Sequence, residues 1–347
     1  MTIKLAVIGA GVMGNNHLRV LSKLKNVEIT GVIDSYFSLA QEASKQYNCP
    51  AYQNITELIK AQTPDAIIIA VPTKLHFEIA KEVIELGIPC LIEKPITFSS
   101  DDATKLTEIA KKKKTLVMTG HVERFNPVVI AAKKFLKTNK LGKPVSFLFR
   151  RIGLFPARVK DVNVIQDIGV HDIDLLQYLA EEKPKLKAAA AGCTFIQGRY
   201  DYCQMLFQVG TASAVIECNW ITPTRVREFQ IVGEKGLLKA DLFNQTLEFY
   251  PTIITRDKNN NVTQMLPAIK SEQILIEKEE PLKLEIEHFL QCIKQKQQPL
   301  ISIEEAAFVV QMANEVTNSL MKRYSIKKIT RLLRIPDKIT NKIIKQE

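Results

Sequence analysis

Over residues 1–120 the chain alternates short, nearly uninterrupted apolar runs with longer segments whose apolar residues recur every three or four positions. The runs at 5–9, 28–34, 66–71, 89–92 and 115–119 read as strands buried on both faces. The periodic segments at 12–24, 37–47, 54–61, 75–87 and 99–114 read as helices. Strand–helix alternation of this kind predicts an α/β fold, a doubly wound parallel sheet. The pattern changes after Asn126-Pro127. A helix at 128–138, a strand at 145–151 and a helix at about 166–180 lead into strands at 187–197, 201–208, 212–219, 226–232, 236–241 and 246–250. Turn residues such as Gly198, Gly210 and Gly233 separate them closely, which predicts an open, mainly antiparallel sheet. The polar stretch 256–263 reads as a surface loop or hairpin turn, and helices return at 281–295 and 303–323.

The pattern divides the 347 residues into 1–122, an α/β domain; 123–330, an α+β domain; and 331–347, a basic tail. No apolar run approaches the roughly 20 residues of a membrane span. The chain opens directly on a strand-like run, so no leader is expected. Six scattered cysteines without a Cys-x-x-Cys pair read as small core residues of a protein in a reducing cytosol, with no metal site. The net charge of +11 is concentrated: residues 322–347 carry nine Lys or Arg against Asp337 and Glu347. The remainder is mildly basic, which suits an anionic small substrate and does not indicate nucleic acid. Ile326, Ile329, Leu332 and Leu333 recur at helical spacing in this tail, which reads as a packed last helix with a charged end, or alternatively as a contact with an anionic surface.

Gly9-Ala10-Gly11-Val12-Met13-Gly14 follows the first strand and opens the first helix. In that context Gly9 serves a tight turn, Gly11 admits a pyrophosphate close to the backbone, and Gly14 lets helix and strand pack. The unpaired N–H groups of the helix start, including those of Val12 and Met13, then face the phosphates. Asp34, twenty residues after Gly14, ends the second strand where a carboxylate accepts from ribose hydroxyls. Its charge beside a 2′-phosphate would cost up to about 4 kcal/mol, which favours NAD over NADP.

Lys94 follows the fifth strand, and Pro95 after it holds its backbone extended. Asp167 and His171 are four apart, so on a helix they share a face, and the carboxylate can fix the imidazole's tautomer. A lysine and a carboxylate-backed histidine beside a dinucleotide cradle are the groups needed to move a hydride and a proton together.

These features, with Val71-Pro72-Thr73, His76 and Glu93-Lys94-Pro95, resemble the Gfo/Idh/MocA family of oxidoreductases over about residues 1–330. The resemblance implies a Rossmann domain followed by an α+β domain that often builds oligomers, here a dimer or tetramer. It implies Lys94 and His171 as catalytic residues with Asp167 as their polar partner, and a cis peptide at Pro95. Pro72, Thr73, His76, Glu93 and Lys94 join the cofactor side. A narrower resemblance, to the family's UDP-N-acetylglucosamine 3-dehydrogenases, rests on residues 120–127, on Arg150-Arg151-Ile152-Gly153 through Arg158 to Asp161, and on residues 219–224. It implies a nucleotide-sugar substrate and an aminotransferase acting on the 3-oxo product, for amino sugars of lipid A or related surface glycans.

On that reading Arg124 and Asn126 offer donors to the sugar, and Arg150, Arg151 and Arg158 offer planar forks to a diphosphate. Trp220 is available either to a sugar or uracil ring or to the core. The alternatives are a same-family dehydrogenase of another nucleotide sugar, a free sugar or an inositol, and a non-catalytic dinucleotide sensor.

Overall fold

The computed structural model describes residues 2–156, 159, 162–195 and 197–332, with side chains to residue 322. Arg158, Asp161 and the tail beyond Leu332 lie outside the described residues. The first half runs β1 (Ile3–Ile8), α1 (Val12–Leu21), β2 (Val27–Ile33), α2 (Phe37–Tyr47), β3 (Ala51–Tyr52), α3 (Ile55–Ala61), β4 (Ala66–Ile69), α4 (His76–Glu85), β5 (Cys90–Glu93), α5 (Ser100–Lys113) and β6 (Val117–Gly120). Its six strands are parallel in the order β3-β2-β1-β4-β5-β6. Strands β4, β5 and β6 are buried along their whole length, as the apolar run of β4 and the mainly apolar β5 and β6 require. The order reverses between β1 and β4, which opens a crevice at their carboxyl ends. Asn54 and Ser99 cap α3 and α5 by accepting from the N–H groups of Glu57 and Asp102.

The second half contains α6 (Pro127–Leu136), β7 (Pro144–Leu154), a π-helical turn (Ile165–Gly169), α7 (Val170–Ala180), β8 (Lys185–Gly192), β9 (Tyr202–Val209), β10 (Ala212–Asn219), β11 (Ile221–Gly233), β12 (Gly236–Asp241), β13 (Thr246–Arg256), β14 (Val262–Pro267) and β15 (Glu272–Ile274). The strand order is β14-β13-β12-β11-β7-β10-β9-β8, with β15 on β13 and only β7–β10 parallel. Burial alternates along β9 and β10: helices α6 and α7 cover one face, while Leu206, Val215 and Val232 are exposed on the other. The polar stretch at 256–263 is the β13–β14 turn, where Asp257 accepts from the N–H groups of Asn259 and Asn261. Strands β3, β14 and β15 carry no period in the sequence: β3 has two residues, and β14 is exposed throughout. The predicted helix at 166–180 is instead the π turn followed by α7.

Two last helices, α8 (Pro281–Gln295) and α9 (Ile303–Leu332), return across the first half. Leu282, Ile286 and Phe289 of α8 join the apolar core of the parallel sheet. Glu285, on the same helix, is fully buried, and neither carboxyl oxygen has a protein hydrogen-bond partner. Burial, with the charge of Glu93 nearby, holds this carboxyl protonated well above its ordinary value of 4.5. The unfolded chain releases the proton above that value, so the folded state loses stability as pH rises from there. Glu285→Gln, which removes the ionisation, is expected to leave Tm nearly unchanged at pH 5 and to raise it at pH 8, by about 2–4 °C per kcal/mol regained. Thermal unfolding at the two pH values measures this.

Candidate active site

The glycine-rich turn has the geometry its sequence demands. Gly9 has φ +100°, and a Cβ there would lie 2.4 Å from the Ala70 carbonyl oxygen. A Cβ on Gly14 would lie 1.7 Å from the Gly9 oxygen, so the helix could not close on the strand. At Gly11 a Cβ would meet nothing within 4 Å: packing makes no demand for glycine, and the open side is where a phosphate would approach. Asp34 accepts from the N–H groups of Ala10 and Tyr36, at 2.8 and 2.9 Å, and each oxygen keeps a lone pair for a ribose hydroxyl. Pro72 and Thr73 start the short turn after β4, on the same edge of the sheet. These residues fit a dinucleotide. His76 does not face it: its Nδ1 and Nε2 lie 2.8 and 2.9 Å from the carbonyl oxygens of Pro95 and Val71, so it clasps two loop segments.

Beside the cradle lies a cleft of about 810 Å³ that brings together Met13, Lys94, Arg151, Asp167 and His171. Glu93 ends β5 against Gly120 of β6, where a Cβ would come within 3.3 Å of its carboxyl carbon. Its Oε1 lies 2.8 Å from buried His17 Nε2, and its Oε2 accepts from the Lys94 N–H. Burial raises the Glu93 carboxyl, but His17 and Lys94 outweigh burial and leave it below the usual range. The peptide between Lys94 and Pro95 is cis, as the family resemblance implies.

Lys94 Nζ donates to the Asp167 carbonyl at 2.6 Å and to its Oδ1 at 3.1 Å. The expected Asp167–His171 pair does not form. The π turn carries Asp167 toward Lys94, because its wider spacing rotates residues off the α-helical i,i+4 line. His171 Nδ1 is buried without a protein partner, which leaves Nε2 toward the cleft. Burial, then Lys94 and Arg151, hold the His171 pKa well below its ordinary value, so the imidazole is neutral at pH 7.

The arginines separate into different roles from those expected. Arg124 is entirely buried: its guanidinium forks onto Asp174 at 2.7–3.1 Å, reaches Glu305 at 3.2 Å and stacks on Tyr178. It binds α7 to α9 and is closed to substrate. Arg150 points to the open face of the second sheet, between its register neighbours Glu217 and Glu228. Strand alternation sends Arg151 the opposite way, into the cleft, paired with Asp172 and Glu123. Asn126 caps α6 and donates to the Leu242 carbonyl, so its amide is committed to structure while one side lines the cleft. Trp220 is 3 % exposed and packs edge-on against Phe155, so it is wall rather than a stacking platform. Arg225 and Arg227, absent from the expected set, line the cleft from β11.

Residues 3–121 match the model of an oxidoreductase family with an NAD-binding Rossmann fold, GFO/IDH/MocA, and residues 129–239 match that of the GFO/IDH/MocA C-terminal domain. A UDP-N-acetylglucosamine 3-dehydrogenase of Acidithiobacillus ferrooxidans is 26% identical over 293 residues, covering 84% of this chain and 88% of the relative. An inositol 2-dehydrogenase of Rhizobium meliloti is 23% identical over 262 residues, covering 70% and 76%. A solved structure of UDP-N-acetylglucosamine 3-dehydrogenase from Acidithiobacillus ferrooxidans shares the fold, with TM-score 0.79 and 24% identity over 91% of this chain and 97% of that one.

Replacing Arg124 would leave Asp174 charged in the interior. Arg124→Met is therefore expected to destabilise the fold by about 3–5 kcal/mol. Denaturant unfolding checks this, and an unchanged KM in the folded fraction would agree with a structural role.

Proposed function

The chain belongs to the Gfo/Idh/MocA family of NAD-dependent oxidoreductases, and on that premise we propose that it oxidises the 3-hydroxyl of UDP-N-acetylglucosamine to the 3-oxo sugar. The observation that carries the chemistry is the pairing of Lys94, clamped by Asp167, with a neutral His171 in one cleft. Two of the three ammonium donors of Lys94 are taken by Asp167, and the third is available to a substrate oxygen. Lys94 then polarises the hydroxyl and stabilises the developing alkoxide, while His171 Nε2 takes the proton. Bound NAD supplies the hydride acceptor. The nucleotide-sugar assignment is supported by the Acidithiobacillus relative, and the inositol dehydrogenase relative marks the principal alternative. An aminotransferase that consumes the 3-oxo sugar belongs to this reading, for lipid A or surface-glycan amino sugars. So does a cytoplasmic homo-oligomer; exposed Leu206, Val215 and Val232 on the open sheet face support a dimer or tetramer.

NAD reduction by the purified protein, with UDP-N-acetylglucosamine, its uronate, free N-acetylglucosamine and myo-inositol in parallel, tests the assignment. An aminotransferase with glutamate is added to draw off product. Turnover with the UDP sugar alone is expected; turnover with inositol alone would discard the nucleotide-sugar reading and keep the chemistry. Lys94→Ala and His171→Ala are expected to lower kcat by about 10²–10⁴-fold with NAD affinity nearly intact. Because His171 works in its neutral form and its pKa is depressed, the acid limb of kcat/KM is expected to fall below pH 6.5. An acid limb above pH 6.5 that disappears in His171→Ala would contradict this.

A further inference from the structure

Most charges lining the cleft are paired within the protein. Asp167 answers Lys94, Asp172 and Glu123 answer Arg151, and Glu280 answers Arg19. Glu93 is held by His17. Arg225 and Arg227 are the exceptions: among the described residues neither makes an ion pair. Arg227 donates only to two backbone carbonyls, of Ile152 and Val226, both at 2.8 Å. Arg225 lies over the exposed ring of Phe243, 5.1 Å from its centroid.

Their placement is costly. Arg227 stands directly opposite Arg151 in the antiparallel β7–β11 register, and like charges in that position repel. It is also half-buried. Burial, then Arg151 and Arg225, lower its pKa to about 10, far beneath the usual arginine value. Asp172 and Glu123 offset this only in part, and packing does not explain why two cations without an ion pair of their own should be held on one wall of a cleft. A ligand that brings two adjacent negative charges would relieve the repulsion, and guanidinium forks match phosphate oxygens. A neutral polyol would not.

Resting on the dehydrogenase reading above and naming its substrate class, we propose that Arg225 and Arg227 form a diphosphate subsite, so that the cleft selects a nucleoside-diphosphate sugar over a free sugar or inositol.

The test is calorimetric binding of UDP and of uridine to the full-length, NAD-loaded protein, for wild type, Arg225→Gln, Arg227→Gln and Arg227→Lys. Arg225 is exposed, so its variant folds irrespective of Arg227. Wild type is expected to bind UDP at least about tenfold more tightly than uridine, and each Gln variant to lose about tenfold for UDP alone. Arg227→Lys should recover part of the loss, since it restores charge without the fork. UDP affinity within about twofold of wild type in both Gln variants would overturn the subsite, since charge-assisted bonds are worth more than that. If such variants still oxidised UDP-N-acetylglucosamine with unchanged KM, the subsite alone would fall. If wild type bound no UDP yet oxidised a free sugar or inositol, the nucleotide-sugar assignment would fall with it, leaving the Lys94 and His171 chemistry in place.

Discussion

Lys94 Nζ, bonded twice to Asp167, is the contact around which the two halves of the molecule are arranged. Lys94 leaves the parallel sheet at the end of β5, and Asp167 belongs to the π turn that leads into α7 in the second half. One ammonium thus spans the border between two cores that α9 also joins, with Ala306 and Val310 in the first and Val309 and Ala313 in the second. The contact depends on support from both sides. Behind Lys94, the Glu93–His17 pair anchors the strand end, and Gly120 leaves the room that Glu93 needs. Behind Asp167, the π turn supplies the rotation that an α-helix would not.

Charge pairing sorts the arginines more sharply than position does. Arg124 and Arg151 both carry two acidic partners, yet one is sealed in the interior and the other lines the cleft. A buried guanidinium that is fully paired is a structural strut, because removing it strands its carboxylates. One without an ion pair beside another cation has the opposite character: Asp172 and Glu123 offset the repulsion only in part. That contrast separates Arg124 from Arg227.

The sequence pattern carries the parallel sheet almost completely, because strands buried on both faces are written as unbroken apolar runs. The glycine turn is equally readable, since Gly9 and Gly14 answer to backbone clashes that no other residue could avoid. The site is less so. Asp167 and His171 look like an α-helical pair, and nothing in residues 165–169 announces a π turn. Arg124 reads as a donor to the sugar, since a side chain's burial depends on what the far end of the chain, here Glu305, brings to it. Arg225 and Arg227 obey the period of two that marks one face of a strand. With a strand read as starting at 226, Arg225 falls in the preceding turn, and the register that sets Arg227 opposite Arg151 is not written in either strand's own sequence.

The same electrostatic field serves both halves of the proposed chemistry. Burial, then Lys94 and Arg151, lower the pKa of His171 and so keep it neutral, which is the state a base must have to accept a proton. Those cations also favour the developing alkoxide, so the alcohol's proton becomes easier to remove as the base is kept free to take it. An imidazolium formed in that field is unstable, so the proton does not rest on His171. It leaves Nε2 for solvent through the cleft, or returns to the sugar oxygen when the reaction runs in reverse. A carboxylate hydrogen-bonded to His171 would strengthen the base by stabilising the imidazolium. The turn that gives Asp167 to Lys94 instead leaves the histidine a weak but available base and leaves the lysine fixed in place.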